Sequence, residues 1–552
     1  MYSWKISLDF IKHNKVNLII FLIFTALAYP LEAIAVPQLY STFFENLNHK
    51  TKPKTVIKFL AMIVLLLCVV KISDGIIHHL ESKLIPQFNE YILNYIYTNI
   101  LLKHKNNYSD LELGKLISRL NTIPTILREL STDITIWVFP KLIAIIIINL
   151  YFFYLNKKLG MLSLILVIAF FINSYYMCNK CIPLSFSRHH LLEKNSEDVQ
   201  DKLSNLASIY STGRIKEEIK EYLQQTKKYS NKYKENLDCV NKIRYFNAAF
   251  DIFLFVALNG FTSYLYFQKE ISFGVLMSIF ITIIYYLPCL STMSSSLPDI
   301  VHYMGVLSET DDFLKEIYGH HKNMPIKPKL ELDSGDVLIQ NLTFGYEGKS
   351  KIFNNFNLHI KDKQKVCLSG PSGNGKSTLI KIIMGYYQVP NNTVLLDGKD
   401  INDFDIDSVR SQISYVNQSN KLFNGSIYDN IMYGNSLTKQ DIDNLVLKFG
   451  INNVFNNVSF ETDVGIQGSN LSGGQKQIVL LLRSLGNPHK LIIFDEPTTG
   501  LDTNTKRSAL KLIEYLSKTA TMILITHDES IINLCDRIIK LNNGKIVEDN
   551  EI

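Results

Sequence analysis

The chain has no block of basic residues interleaved with aromatics, and its net charge of +6 is spread over 552 residues. Nucleic acid is therefore not an expected partner. Cysteine is scarce: the seven residues, at 68, 178, 181, 239, 289, 367 and 535, are scattered and odd in number. They do not read as a disulfide framework, and Cys367 falls inside a strand expected to be buried. Cys178 and Cys181 make a lone C-x-x-C, and without a second pair to complete a zinc site a structural role is expected of them. The N-terminus lacks the short basic region, apolar core and small-residue cleavage site of a signal peptide. Its first apolar run is too long for one and is expected to stay in the protein. Charge is also low, at 20% of residues against 47% hydrophobic, which is unusual for a wholly soluble protein of this size.

Long apolar runs are abundant instead. A bilayer core about 30 Å thick asks for roughly 20 mostly apolar residues per helix. Six stretches meet this, near Val16–Val36, Ile57–Ile77, Ile134–Leu155, Leu159–Met177, Phe246–Phe267 and Phe273–Leu290. Asn156-Lys-Lys158 and Gln268-Lys-Glu-Ile-Ser272 are so short that the runs they join must form antiparallel hairpins. Residues 78–132 and 178–245 are rich in charge yet keep apolar residues at helical spacing, as at Ile215, Ile219 and Leu223. They read as helices extending beyond the membrane, on the side where the C-terminal part must lie after an even number of crossings. Lys216, Lys220, Lys227, Lys228, Lys232 and Lys234 make that side positive, as a cytosolic face asks, but the outer loop around Asn46–Lys54 carries lysines too, so the expected orientation rests more on hydropathy. Glu32, Lys71, Asp74, Asn173, Asp251 and Asn259 lie in or near the spans, at span ends or facing an aqueous cavity.

From about Lys329 the pattern changes to alternating strands and helices with Gly and Asn turns, the signature of an α/β domain. Pro325 and Pro328 punctuate the linker before it. Gly370-Pro371-Ser372-Gly373-Asn374-Gly375-Lys376-Ser377 fits G-x-x-x-x-G-K-[ST], the phosphate-binding loop of nucleotide hydrolases. A short apolar strand, Lys365–Ser369, precedes it, and a helix from Thr378 to Met384, closed by Gly385, follows. That context aims backbone N–H groups and the helix dipole at phosphate. Lys376 would reach the β- and γ-phosphates of ATP, and Ser377 would offer its hydroxyl to Mg²⁺. The cytosolic supply of ATP is a further ground for the expected orientation.

The apolar strand Lys490–Glu496 ends in two carboxylates. Asp495 is placed to hold Mg²⁺ and Glu496 to polarise the attacking water. Between these motifs, Leu471-Ser472-Gly473-Gly474-Gln475 opens a helix expected over Lys476–Leu485, a second anion site of the same physical type. One phosphate loop serves one nucleotide, so the second site needs a nucleotide from elsewhere. A homodimer with two shared sites is the economical inference.

With these motifs in order, nearly the whole chain resembles the ATP-binding cassette (ABC) transporters. The fold implied is multi-domain: an all-α six-helix transmembrane domain over 1–320 with long cytosolic helix extensions, a linker over 321–335, and an α/β P-loop ATPase domain over 336–552. The resemblance further matches Gln418 to the glutamine that contacts Mg²⁺, His527 to the switch histidine at the γ-phosphate, Asp502 to the acid of the inter-subunit loop, and Tyr346 to the aromatic that stacks on adenine. Thr378 completes the nucleotide contacts. Leu113–Leu120 and Ser211–Glu217 resemble segments flanking the two intracellular coupling turns, and Leu422–Ile431 resembles the exporter form of its region. Three positions depart from the usual exporter pattern: Thr499-Gly-Leu-Asp502 for Ser-Ala-Leu-Asp, His527-Asp528 for His-Arg, and Ile466 for a glutamate.

The resemblance implies a half-size exporter, an integral multi-pass protein of the cell membrane with its ATPase domain in the cytosol. It would hydrolyse ATP with Mg²⁺ as a homodimer and move an amphipathic small molecule, lipid or peptide across the bilayer by alternating access. The alternatives are an ATP-gated channel or membrane-anchored regulator that does not pump, and one half of a heterodimeric exporter. No peptidase domain precedes the first span, so coupled leader cleavage is not expected.

Overall fold

The computed structural model describes residues 2–47, 53–106, 113–318, 327–346, 348, 350–417, 420–455, 458–487 and 489–552. The chain separates into two compact units: Met1–Lys103 with Asp110–Lys322, and Asn323–Ile552 with His104–Ser109.

The first unit is helical. Among the described residues, six helices are long and apolar enough to cross a membrane: Lys15–Phe43, Val56–Lys103, Leu116–Leu155, Lys157–Ser204, Ile215–Phe267 and Phe273–Ser308. The first hairpin turns on Asn156, whose extended backbone interrupts the helix while its side chain accepts hydrogen bonds from the Lys158 and Leu159 amides. Ser272 caps the last span in the same way through the Val275 amide. The charged links do continue the helices. Lys157–Ser204 and Ile215–Phe267, 48 and 53 residues long, reach about 70 and 80 Å at 1.5 Å per residue. The short helix Leu206–Thr212 joins them, closed by Gly213 in the left-handed conformation. Ser211–Glu217 therefore straddles the end of this connecting helix and the start of the next.

These two long helices settle the cysteine question differently from the sequence reading. Cys181 and Cys239, 58 residues apart, are joined by a disulfide. The Phe170 and Phe250 rings meet at 5.5 Å, and the two contacts are equally spaced along both helices, as antiparallel packing demands. Distance in sequence hid a pairing that closure of the helical hairpin creates. Cys178 remains a free thiol.

The polar residues of the spans are mostly satisfied locally. Lys71 pairs with Asp74 at 3.0 Å, Asn259 donates to the Phe255 carbonyl, and Asn173 donates to the Met177 sulfur. Glu32 lies on a π-turn, Leu31–Ala35. Composition alone did not single out Asn149, which is buried and donates to the Tyr286 hydroxyl at 2.8 Å.

The second unit carries two sheets. The strands are β1 (Val337–Gly345), β2 (Lys351–Ile360), β3 (Lys365–Ser369), β4 (Val394–Leu396), β5 (Lys399–Asp400), β6 (Ile413–Asn417), β7 (Leu491–Asp495), β8 (Thr521–Ile525), β9 (Arg537–Asn542) and β10 (Lys545–Glu551). An antiparallel sheet runs β2-β1-β4-β5, and a six-stranded sheet runs β10-β9-β3-β8-β7-β6. In the larger sheet β9, β3, β8, β7 and β6 are parallel and only β10 is antiparallel. Parallel strands covered on both faces need apolar residues throughout. Val366, Leu368, Ile493 and Ile523 pack into the core on one side, and Cys367, Phe494, Met522 and Leu524 into the core on the other. The register places Leu368 beside Ile525 and Ile525 beside Asp495. The loops leaving β3, β7 and β8 thus emerge together at the carboxyl edge of the sheet, where open α/β sheets bind ligands.

Candidate functional site

The loop leaving β3 is shaped by its glycines. Gly370, Gly373 and Gly375 all have positive φ (133°, 83° and 93°). A Cβ on Gly370 would lie 2.2 Å from the Leu541 carbonyl oxygen, and one on Gly375 would lie 2.8 Å from both Ile352 and Phe353. No side chain can be added at either position without moving backbone or core. Asn374 fastens the loop, donating to the Leu541 carbonyl and accepting from the Asn543 amide. Pro371 and Ser372 lie exposed at its tip.

The helix that follows, Lys376–Ile383, begins on Gly375 and has no side-chain cap. Its first N–H groups stay open to an anion. Lys376, 9% exposed, donates through its ammonium to the Gly370 and Pro371 carbonyls at 2.6 and 3.0 Å, folding its charge over the loop. The Ser377 hydroxyl donates to Asp495 at 3.2 Å. Burial lowers the Lys376 ammonium below the usual lysine range, against the pull of Glu496 and Asp495. Burial likewise raises the Asp495 carboxyl, with Ser377 opposing. Opposite charges that fail to offset each other's burial leave a site suited to more charge: an anion at the lysine and a cation at the carboxylate.

Glu496 follows β7 in a left-handed conformation, φ 55°, held by its own N–H on the Ile525 carbonyl at 2.8 Å. Its carboxylate accepts from the Thr499 hydroxyl. His527 follows β8 and is exposed. Asp528, noted in the sequence only as a departure, ties the two loops together. It accepts from the Thr498 hydroxyl at 2.8 Å and from Lys506 at 2.7 Å, and caps the next turn through the Ser530 amide. Thr498 and Lys506 were not among the expected residues, since nothing in a lone Thr or Lys announces such a bridge.

The other predicted residues lie apart from this edge or in other roles. Ser472, Gly473, Gly474 and Gln475 open the helix Gly473–Ser484, which starts three residues before the expected Lys476 because Ser472 caps it. Ser472 accepts from the Gln475 amide at 3.2 Å while the Gln475 side chain accepts from the Ser472 amide at 2.9 Å, a full capping box. Asp502 caps Thr503–Leu516 through the Asn504 and Thr505 amides. Tyr346 packs edge-on against Tyr387 and Phe344, with its hydroxyl 3.1 Å from that of Thr378. Gln418 lies outside the described residues. Ile466 is 76% exposed on a short turn.

A phosphate loop on a parallel sheet, fused to a bundle of six membrane-length helices, defines a class: a membrane protein with an attached nucleotide-binding domain. Comparison with known proteins places it more closely. The ABC transporter family matches residues 353–499, and the ABC transporter transmembrane region matches residues 16–287. The chain belongs to the ABC transporters, a transmembrane region being joined to a nucleotide-binding domain, and is a multi-pass membrane protein. It is 34% identical over 219 residues to the iron-sulfur clusters transporter ATM1, mitochondrial, of Saccharomyces cerevisiae, covering 39% of this chain and 32% of that one. It is 32% identical over 254 residues to an ATP-dependent lipid A-core flippase of Francisella tularensis, covering 45% and 41%. The matched stretch thus spans less than half the length of either relative. The structure of a bacterial Atm1-family ABC exporter with ATP bound superposes with a TM-score of 0.84 at 19% identity, over 98% of this chain and 95% of that one, so the folds agree.

Proposed function

We propose that this protein is an ATP-driven exporter working as a homodimer, with residues 1–320 forming the transport domain, 321–335 a linker and 336–552 the ATPase. The observation that carries this reading is the meeting of Lys376, the Ser377–Asp495 pair and the Glu496 loop at one sheet edge, beside an uncapped helix start. Lys376 and the open N–H groups of the loop bind the phosphates of ATP. Glu496 orients the attacking water and takes its proton, and His527 meets the γ-phosphate from the neighbouring loop. Ser377, Asp495 and Gln418 would hold Mg²⁺, which when bound spreads positive charge over the phosphate oxygens. The hard oxygen donors and the buried carboxylate suit that ion.

Ser472–Gln475 of a second copy completes each site, and Asp502 lies on the loop between the copies. ATP drawing the two copies together turns the membrane cavity outward, and release after hydrolysis resets it. The chain would lie in the cell membrane with its ATPase domain in the cytosol. Its relatives' names specify iron–sulfur clusters in one case and lipid A-core in the other, so the cargo is not carried over from either. An amphipathic small molecule, lipid or peptide suits the apolar spans.

Purified protein reconstituted in vesicles tests the reading. ATP-dependent uptake of a screened amphiphile, by a particle with twice the mass of the chain, is the expected outcome. Cassette movement with passive flux and no accumulation would mean a gated channel instead. A stable monomer that acts only after a different half-transporter is added would mean a heterodimer.

A further inference from the structure

The N-terminal helix Tyr2–His13 packs Ile6 and Phe10 inward, Phe10 meeting the Phe88 ring at 4.9 Å, while Trp4, Leu8 and Ile11 stay exposed. An amphipathic helix of this kind lies in the membrane interface, with its apolar side toward the acyl chains. Between it and the first three spans is a cavity of about 250 Å³. Its walls are almost wholly apolar, with Phe21, Leu22, Leu84 and Phe139 among them. The described residues leave this volume unfilled, and around a membrane-spanning bundle the medium that fills an apolar opening is lipid.

The mouth of the cavity is charged in a particular way. Arg128 lines it, one helical turn before Ser131 and Thr132 on the same helix face. Lys15 stands one turn before Leu18, another wall residue, on the first span. Glu81 also lines the cavity and meets His78 at 2.9 Å, while Asp9 of the N-terminal helix is met by Lys12 at 3.4 Å and Glu129 meets Arg128 at 3.4 Å. Arg128 is thus the one cation, among the described residues, that lines a largely apolar slot, matching an anionic head on an apolar tail. A guanidinium suits a phosphate oxygen pair.

We infer that this cavity is a binding site for one phospholipid of the surrounding leaflet, with an acyl chain in the slot and its phosphate on Arg128. The site is built from residues of the membrane unit and uses none of the nucleotide-binding residues. It would anchor the N-terminal helix to the first three spans.

The test uses the full-length protein, stripped of lipid in detergent and then offered phosphatidylglycerol or a diacylglycerol with the same tails, with bound lipid counted by native mass spectrometry. Phosphatidylglycerol is expected to be retained at one per chain and the diacylglycerol at least about tenfold less, as loss of a charged hydrogen bond implies. Arg128→Gln should lower phosphatidylglycerol retention by a similar factor, and Arg128→Lys, which keeps the charge but not the paired donors, should restore part of it. Ser131→Trp, which fills the slot, should abolish retention. Equal retention of the two lipids, unchanged retention in Arg128→Gln or Ser131→Trp, or Arg128→Lys behaving like Arg128→Gln, would overturn the proposal. The Lys variant also serves as the folding control for the Gln variant.

Discussion

Two helix starts in the ATPase unit look alike in sequence, each a serine-and-glycine turn leading into an apolar helix, yet they are built differently. Lys376–Ile383 begins on Gly375 with no side-chain cap, so its N–H groups wait for a ligand. Gly473–Ser484 begins on Ser472 and is capped at once by the Ser472–Gln475 box. The first turn is unfinished without phosphate, whereas the second is stable by itself and must trade its cap to bind one. In the proposed homodimer, a site that always serves its own chain can be left open, whereas one that meets its nucleotide only when a second chain arrives needs a way of being satisfied meanwhile.

The largest effect is expected at the chemistry both turns are proposed to serve. Glu496→Gln is expected to lower ATP turnover by at least about 10²-fold, the usual loss when a general base is removed. It should also leave ATP-bound dimers that persist in size-exclusion chromatography. Turnover near that of the unmodified protein would remove Glu496 from the base role. Next in size is Lys376→Ala, which strikes the open turn alone. ATP affinity, followed with a fluorescent analogue, should fall about tenfold or more for the loss of a charged hydrogen-bond donor; unchanged affinity would mean that the loop does not hold phosphate through this residue.

Ser472→Ala sharpens the contrast from the other side. Removing the cap should cost about 1 kcal/mol of stability, seen as a lower melting temperature. ATP affinity of the separated chain should stay the same while ATPase activity falls. Lost stability with full activity would leave Ser472 as a cap and nothing more.

The smallest effect is expected at Asp528. Burial by itself raises this carboxyl, but Lys506, Ser530 and Thr498 outweigh it and hold the group well below the ordinary carboxylate range. A depressed carboxyl contributes stability above the unfolded pKa, near 4, and loses it as pH falls further. Asp528→Asn should therefore lower the melting temperature at pH 7, and the gap should close as pH drops below about 4. A gap independent of pH would show that the bridge to Lys506 contributes nothing by charge.

Much of this was legible in the residues. The phosphate loop, the Asp495–Glu496 pair and the six apolar runs each depend on local pattern, and each lies where its pattern put it. The helix starting at Gly473 rather than Lys476 was missed because propensity marks glycine as a poor helix residue, while the cap that admits it is a side-chain hydrogen bond. The Cys181–Cys239 bond was missed because two long helices bring together residues that no spacing rule relates.

What the sequence determined by itself was the class of each segment, since period, length and turn chemistry are local properties of the chain. It also pointed to a nucleotide, because G-x-x-x-x-G-K-[ST] between a strand and a helix supplies the turn, the open N–H groups and the lysine that suit phosphate. Tertiary structure alone decided which loops share an edge. Strand order 3-8-7 in the larger sheet brings together the loops that carry Glu496 and Asp528, although 32 positions separate the two residues in the chain. It also decided that Asp528 bridges to Thr498 and that an apolar cavity opens behind Arg128. These depend on packing between distant segments, and such packing is settled only when the whole chain closes on its core.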